Sequence, residues 1–430
     1  MVPDTENDVP RVGNEVDVTI ESVAFGGDGV ARYGNYVLFV PDVIPGETVT
    51  ARITEIKRSY GRAVPIGMRQ VSPERVEPAC DLYGLCGGCQ YQHMAYERSL
   101  EFKEQQVKDV VARIGRLSIE GVCDSMRPAP HAYGYRNSVS LHVRKPGGKR
   151  RVGYFARDNT TFVPISQCPI ASKEINESLG RIEVVLRGFD HLERMKGLTV
   201  KSAGARTLIY PSYQKPVRFE SDERLSYRYK HIDFYYGPRS FFQVNHAMIP
   251  DLMELALDGL APEPGETLLD LYAGVGLFSL ALSDKYRQVV GIEAGEEAVA
   301  CFEANISENG PRNVKVVRGK VEANLKAASR EIEDKAVSVI VDPPREGLNK
   351  RVVGFLTEAE IKKLVYVSCD PATLARDLKA LSTAYSIRRI TPLDMFPQTK
   401  HIESVTVMEK RVNPHAGRDA SPRAAPKLPG

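Results

Sequence analysis

Thr267-Leu-Leu-Asp270-Leu-Tyr272-Ala-Gly274-Val-Gly276-Leu-Phe278 is an apolar run, a glycine-bearing loop and then the first apolar turn of a helix. Glycines at such a strand-to-helix junction let the backbone approach a ligand closely. Glu293 closes the next apolar run about 20 residues on, where an acid reaches ribose hydroxyls in nucleotide-binding sheets. The loop lacks the full G-x-G-x-x-G spacing, so a dinucleotide is one candidate ligand among others. Further apolar runs at 314–317, 337–342 and 363–369 alternate with helical segments. Strand-helix alternation of this kind predicts a doubly wound parallel sheet whose ligands bind at the carboxyl ends of the strands.

Two of those carboxyl ends carry chemistry. Asp342-Pro343-Pro344-Arg345 makes a rigid turn after the fourth strand; structural punctuation accounts for the prolines but not for the acid beside them. Cys369 closes the fifth run and precedes Asp370-Pro371, an N-cap and a first helical residue. A thiol there lies near helix amide groups that favour a thiolate, with the Asp370 carboxylate partly opposing. By itself, a strand-end cysteine is more often a small buried hydrophobe.

The 430 residues suffice for several domains, and 42% hydrophobic content is ample for real cores. No apolar run reaches membrane-spanning length, and the acidic start lacks signal-peptide features, so no membrane and a cytoplasmic location are expected. With a net charge of only +3, nucleic-acid binding would need local patches such as Arg144-Lys145 with Lys149-Arg150-Arg151, or else these are solvated hairpin charges. Five short β-rich runs over residues 12–70 suggest a small barrel. Its Arg52, Lys57, Arg58, Arg62 and Arg69, with Tyr60, would serve a single-stranded nucleic acid, and would equally serve as a solvated face.

Cys80-x5-Cys86-x2-Cys89 lies on a short Gly-rich loop, and a disulfide framework is not expected in a chain of this size and compartment. Zinc and an iron-sulfur cluster both fit three thiolates with a distant fourth; Cys168, followed by Pro169, is the better fourth and Cys123 its competitor. Residues 96–113 read as a helix. The runs 138–143 and 151–155 read as a hairpin around Pro146-Gly147-Gly148, 172–187 as helical, and the Pro-, Ala- and Arg-rich residues from 413 as a disordered tail.

The Asp-x-Tyr-Ala-Gly-x-Gly loop resembles the S-adenosylmethionine loop of class I methyltransferases. Phe242-Gln243-Val244-Asn245, the Tyr272 loop, Asp342-Pro-Pro-Arg345, Ser368-Cys369-Asp370-Pro371 and His401-Ile-Glu403, in that order, resemble the RNA uracil-C5 methyltransferases. Arg345 occupies the aromatic position of the related motif that grips an exocyclic amine, which argues against amine methylation. The resemblance implies an α/β fold: a class I, Rossmann-like S-adenosylmethionine-dependent methyltransferase domain at 239–412. An OB-like TRAM β-barrel at 12–70 and a β-rich central domain at 71–238 would precede it, and helix 96–114 would pack on the catalytic domain.

It further implies Cys369 as nucleophile, Glu403 as proton acceptor, and Gln243, Tyr272, Glu293 and Asp342 as contacts to S-adenosylmethionine. His401 would orient Glu403 or be only a polar neighbour. Family members with matching Cys-x5-Cys-x2-Cys and Gln-Cys-Pro motifs hold a 4Fe-4S cluster, which implies Cys80, Cys86, Cys89 and Cys168 as its ligands. Barrel and cluster together favour 23S rRNA as substrate, with tRNA the alternative. A monomer is expected. A non-catalytic RNA-binding assembly factor is the contrasting class, disfavoured by the joint presence of Cys369, Glu403, Gln243 and Asp342.

Overall fold

The computed structural model describes residues 10–145, 150–187, 194–213, 223–331 and 336–411; the Pro146-Gly147-Gly148 turn, Lys149 and the segment from 413 lie outside them. The chain first forms five strands, β1 (Glu15–Val23), β2 (Gly29–Tyr33), β3 (Tyr36–Val40), β4 (Thr48–Ile56) and β5 (Tyr60–Gln70), closed into a barrel in the order β1-β2-β3-β5-β4. Period-two alternation builds it: Val16, Val18 and Ile20 point inward while Glu15 and Asp17 face out. Four of the barrel's five named cations are held in solvent-exposed ion pairs. Arg52 pairs with Glu15 at 2.9 Å, Arg62 with Asp28 at 3.0 Å, Arg69 with Asp17 at 3.5 Å and Lys57 with Glu55 at 2.5 Å. Acids on the same outer face were the signal that a list of cations missed.

The cysteine loop follows, bolted to the barrel by buried Glu47. Its carboxylate accepts from Arg75 at 2.7 Å and from the Ile44 amide at 2.8 Å. Helix α1 (Tyr96–Val110) continues as a π-helical turn, Val111–Gly115. Its Val107, Val110 and Val111 join the core under one face of the C-terminal sheet. Then come β6 (Ser138–Arg144), β7 (Arg151–Phe155), β8 (Phe162–Pro164), α2 (Lys173–Gly180), α3 (Ile182–Arg187), β9 (Met195–Ala203) and β10 (Arg206–Tyr213). These strands pair antiparallel in the order β10-β9-β6-β7-β8. A hairpin, β11 (Leu225–Tyr229) and β12 (Ile232–Tyr236), forms its own two-stranded sheet and buries Leu225, Ile232, Phe234 and Tyr236 in the core of the C-terminal part.

The C-terminal part contains α4 (Ile249–Leu260), β13 (Thr267–Leu271), α5 (Leu277–Ala281), β14 (Gln288–Glu293), α6 (Glu296–Asn309), β15 (Val314–Arg318) and α7 (Val321–Glu331). After these come β16 (Val337–Val341), α8 (Lys350–Glu358), β17 (Lys363–Ser368), α9 (Pro371–Leu381), β18 (Tyr385–Leu393) and β19 (Glu403–Lys410). The sheet order is β15-β14-β13-β16-β17-β19-β18. β13 to β17 are parallel, as the alternation predicts, but β19 inserts antiparallel between β17 and β18. The sheet is therefore mixed.

Both faces are covered, which is why its strands read as continuous apolar runs. Leu268, Val289, Ile340 and Val365 pack on one side, Leu269, Val290, Val339 and Leu364 on the other. Each such buried aliphatic contributes about 1.5–3 kcal/mol. Among the described residues no helix is long and apolar enough to cross a membrane.

Candidate active site

A cavity of about 770 Å³ opens at the carboxyl edge of the C-terminal sheet. Gln243, Tyr272, Glu293, Asp342, Cys369 and Glu403 all line it. Each arrives by a different route. Tyr272 follows β13 in a left-handed conformation (φ 67°) and begins the glycine loop. Gly276 is obligatory there: its φ is 88°, and a Cβ would stand 2.4 Å from the Phe302 ring. Glu293, at the end of β14, ties that loop down by accepting from the Gly274 amide at 2.9 Å, and its other oxygen accepts from Ala294 and Gly295. Asn137 in the central region donates to the Gln243 carbonyl at 3.0 Å, so the central sheet holds the Gln243 segment over the cavity.

Cys369 and Glu403 meet through strand register. In the antiparallel β17–β19 ladder the last recorded pair is Ser368 with Ser404. The next residue on each strand is Cys369 on one and Glu403 on the other, so thiol and carboxylate stand across the ladder's end, where facing Cα atoms are about 4.5–5.5 Å apart. A thiol and a carboxylate that are far apart in sequence become neighbours.

The electrostatics differ from the sequence expectation. Asp370 is the N-cap of α9, and its Oδ1 accepts from the Ala372 and Thr373 amides, both at 2.9 Å, so those donors are spent on the cap and not on sulfur. Burial, then Glu403 and Asp342, push the Cys369 thiol up to about 12, with Arg345 pulling the other way. Burial and Asp342 hold Glu403 far above the usual carboxylate range, again against Arg345. Asp342 itself is pushed up to about 7 by burial and by Asp270. Asp270 stands at about 7 through burial, although Ser279 donates to it at 2.6 Å. Such acid-rich, dry surroundings favour a cationic ligand, whose charge would return the acids to their ionised forms.

His401 does not line this cavity. Its ring nitrogen stands 3.5 Å from Arg345 Nη2, its ring packs edge-on against Phe396, and burial keeps it neutral down to about pH 4. Sequence reasoning missed Arg136, Asn349 and Lys320 in the cavity wall. They belong to no motif. Arg345 had a signal, its place in the Asp-Pro-Pro-Arg turn, but it was read only as evidence against amine chemistry.

A second cavity, of about 420 Å³, is lined by Cys80, Cys86, Cys89 and Cys168. Cys123 lies elsewhere, bridging its backbone to Ile390, so Cys168 is the thiol that joins the three clustered ones. Burial pushes the thiols of Cys86, Cys89 and Cys168 up, Cys89 to about 12. Among the described residues no three His, Cys, Asp or Glu side chains are placed to hold one metal ion. A mononuclear zinc draws its ligands within about 2.3 Å of one point, whereas in a cluster each thiolate binds its own iron and the sulfurs stand farther apart. Cys80, Cys86, Cys89 and Cys168 are thus the four thiols that share one cavity.

Glycine loop, acid-capped second strand and ligand cavity at the carboxyl edge define a class I nucleotide-cofactor methyltransferase fold. A family model described as tRNA (Uracil-5-)-methyltransferase matches residues 207–411, and a TRAM domain model matches residues 10–66. An RNA methyltransferase of Thermosynechococcus vestitus is 32% identical over 92% of this chain and 98% of its own. One from Halalkalibacterium halodurans is 31% identical over 95% and 98%. The crystal structure of Pyrococcus abyssi tRNA (uracil-54, C5)-methyltransferase with S-adenosyl-L-homocysteine superposes with a TM-score of 0.69, 26% identity, and coverage of 91% and 99%. The chain belongs to the RNA uracil-5 methyltransferase family and is an S-adenosylmethionine-dependent enzyme.

Proposed function

We propose that this enzyme methylates carbon 5 of a specific uridine in 23S rRNA through a covalent adduct on Cys369. The observation that carries the mechanism is the β17–β19 register, which sets Cys369 across from Glu403 inside the cavity lined by Gln243, Tyr272, Glu293 and Asp342. Carbon 5 of uracil is too weak a nucleophile to take a methyl group unaided. Cys369, having lost its proton to solvent, adds to carbon 6 and pushes the ring electrons into an enolate. S-adenosylmethionine supplies the methyl group to carbon 5. Glu403 then removes the remaining proton from carbon 5, and the electron pair of that bond restores the 5,6 double bond as the thiolate leaves.

Arg345 counters the three acids, Glu403, Asp342 and Asp370, that oppose ionisation of Cys369, and it is suited to the negative charge that develops on the ring. Gln243, Tyr272, Glu293 and Asp342 hold the cofactor, with Asp342 facing its positive charge. A stacked base cannot offer both faces, so the uridine is flipped out of an unpaired or easily opened site.

Cys80, Cys86, Cys89 and Cys168 are the ligands of a 4Fe-4S cluster in this reading. The cluster serves structure or RNA positioning and takes no part in methyl transfer. The enzyme acts as a cytoplasmic monomer. Two features favour ribosomal over transfer RNA: the barrel and the cysteine cavity stand together at the N-terminal side. The Pyrococcus neighbour is a tRNA methyltransferase, so the substrate must be decided by mapping 5-methyluridine in both RNAs of a deletion strain. For the mechanism, 5-fluorouridine RNA with S-adenosylmethionine is the test. Fluorine cannot leave as a proton, so a denaturant-stable protein–RNA complex is expected, and its absence with cofactor binding intact refutes the covalent route.

A further inference from the structure

The two cavities share a wall. Phe396 and Glu403 line the catalytic cavity, while Thr399, Lys400 and His401 between them line the cysteine cavity; Arg136 and Val244 line both. The β18–β19 connection thus spans from one cavity to the other and ends on Glu403. It is held from the cysteine side. The amides of Gln90 and Tyr91, directly after Cys89, donate to the Gln398 carbonyl at 2.9 and 3.2 Å, and the Lys400 amide donates to Gln90 Oε1 at 2.8 Å. Gln90 Nε2 in turn donates to the Gly87 carbonyl at 2.9 Å, inside the Cys86–Cys89 turn. Gln398 sits in a left-handed conformation (φ 66°), which a non-glycine residue keeps only when its surroundings over-determine it.

We infer that Gln90 is a positioning residue for Glu403: it clamps the β18–β19 connection to the cysteine loop, so that the cysteine centre governs release of the methylated uridine and not the methyl transfer before it. The inference rests on the reading of Glu403 as the base. Cys369 rides on β17 and α9, which make none of these contacts; it is linked to the connection less directly, through Arg345, whose Nη2 stands 3.5 Å from His401. Loosening the connection therefore bears first on the carboxylate, the residue on which it ends.

Gln90→Met keeps the length of the side chain and removes the acceptor for Lys400. Gln90→Glu keeps that acceptor but cannot donate to Gly87. Iron content and visible absorbance are measured for each variant. Gln90→Met is expected to form the 5-fluorouridine adduct within about twofold of the wild-type rate. Its turnover on uridine RNA should fall about tenfold, the scale of a small misplacement of a catalytic group, with covalent complex accumulating; Gln90→Glu should restore turnover.

Adduct formation falling in step with turnover, or slow turnover without accumulation, overturns the inference. Should Gln90→Met lose iron, Tyr135→Phe takes its place, since it frees the same connection at the Pro397 carbonyl (3.0 Å) without altering the cysteine loop. Glu403→Gln runs alongside. If it fails to accumulate adduct, the base assignment is wrong; if it accumulates adduct and the Gln90 and Tyr135 variants do not, only the clamp is wrong.

Discussion

At the residue scale the proposed chemistry turns on one thiol and one carboxylate with separable tasks. Cys369→Ala should abolish methylation and adduct alike. Glu403→Gln should still transfer methyl but hold the RNA covalently, lowering turnover by about 10²–10⁴-fold, the usual span for a lost general base. Denaturing gels of protein and RNA distinguish the two. Cys369 is pushed up to about 12 in the free cavity, so the reactive thiolate is scarce at neutral pH and adduct formation should accelerate as pH rises from 7 to 9. Arg345 is the cation recorded as opposing that shift. Arg345→Met should therefore move the pH profile of single-turnover adduct formation to higher pH and slow the reaction about tenfold at neutral pH. A profile that stays in place would remove Arg345 from the activation of sulfur.

At the element scale, α1 holds the β18–β19 connection through one buried cation. Lys103 Nζ donates to Asp394 at 2.6 Å, to the Phe396 carbonyl at 3.1 Å and to the His401 carbonyl at 3.3 Å. Both charged side chains of the pair are wholly buried. Burial draws Lys103 below the ordinary lysine range against the pull of Asp394, and the three acceptors offset the loss of water. Lys103→Met leaves Asp394 charged and alone, at a cost of about 3–5 kcal/mol, whereas Lys103→Met with Asp394→Leu should recover most of it. Urea midpoints of the transition reported by the C-terminal part test this; equal losses in the single and double variants contradict it.

The elements themselves were largely legible. The strands β1 to β5 fill the 12–70 stretch read as five β-rich runs, and β13 to β17 fall within a residue or two of the apolar runs, because period-two and continuous apolar patterns are local properties of the chain. The antiparallel insertion of β19 was not legible, nor the packing of the β11–β12 hairpin onto the catalytic core. Both depend on pairing between segments far apart, which no local period encodes. Asn305 and Asn309 of α6 make that hairpin contact by bonding the backbone at Tyr235 and Asp233, with side chains that in sequence read as mere helix polarity.

At the scale of the whole molecule, the barrel, cysteine loop and catalytic sheet are joined by buried polar contacts that titrate. His93 in the cysteine region stands between Tyr83 Oη at 2.6 Å and the Val43 carbonyl of the barrel at 3.3 Å. Both partners are satisfied when Nε2 donates to the carbonyl and Nδ1 accepts from tyrosine. That is the neutral ring, and burial holds it neutral down to about pH 4. The unfolded chain takes up this proton near about pH 6.5, so between those values the unfolded state binds more protons. His93 therefore supports the fold fully above pH 6.5, and that support fades as pH falls toward 4. His93→Gln keeps a donor and an acceptor without a titrating ring. The thermal midpoint of wild type minus that of the variant should shrink between pH 6.5 and 4 and stay level above; a constant difference would exclude His93 as the titrating joint.

From the sequence alone came the alternating αβ order, the barrel and the glycine loop with its acid partner, because propensity, period and loop chemistry act over a few neighbours; the residues of the proposed uracil-C5 reaction came from the resemblance of their motifs to a known family. Cys168 as the fourth thiol and Asp370 as a helix cap were already legible, whereas only the tertiary structure decided which distant groups share a space: Cys369 across from Glu403, and barrel cations paired with barrel acids. These follow from strand register and long-range packing, where a shift of one residue would turn every one of those side chains away.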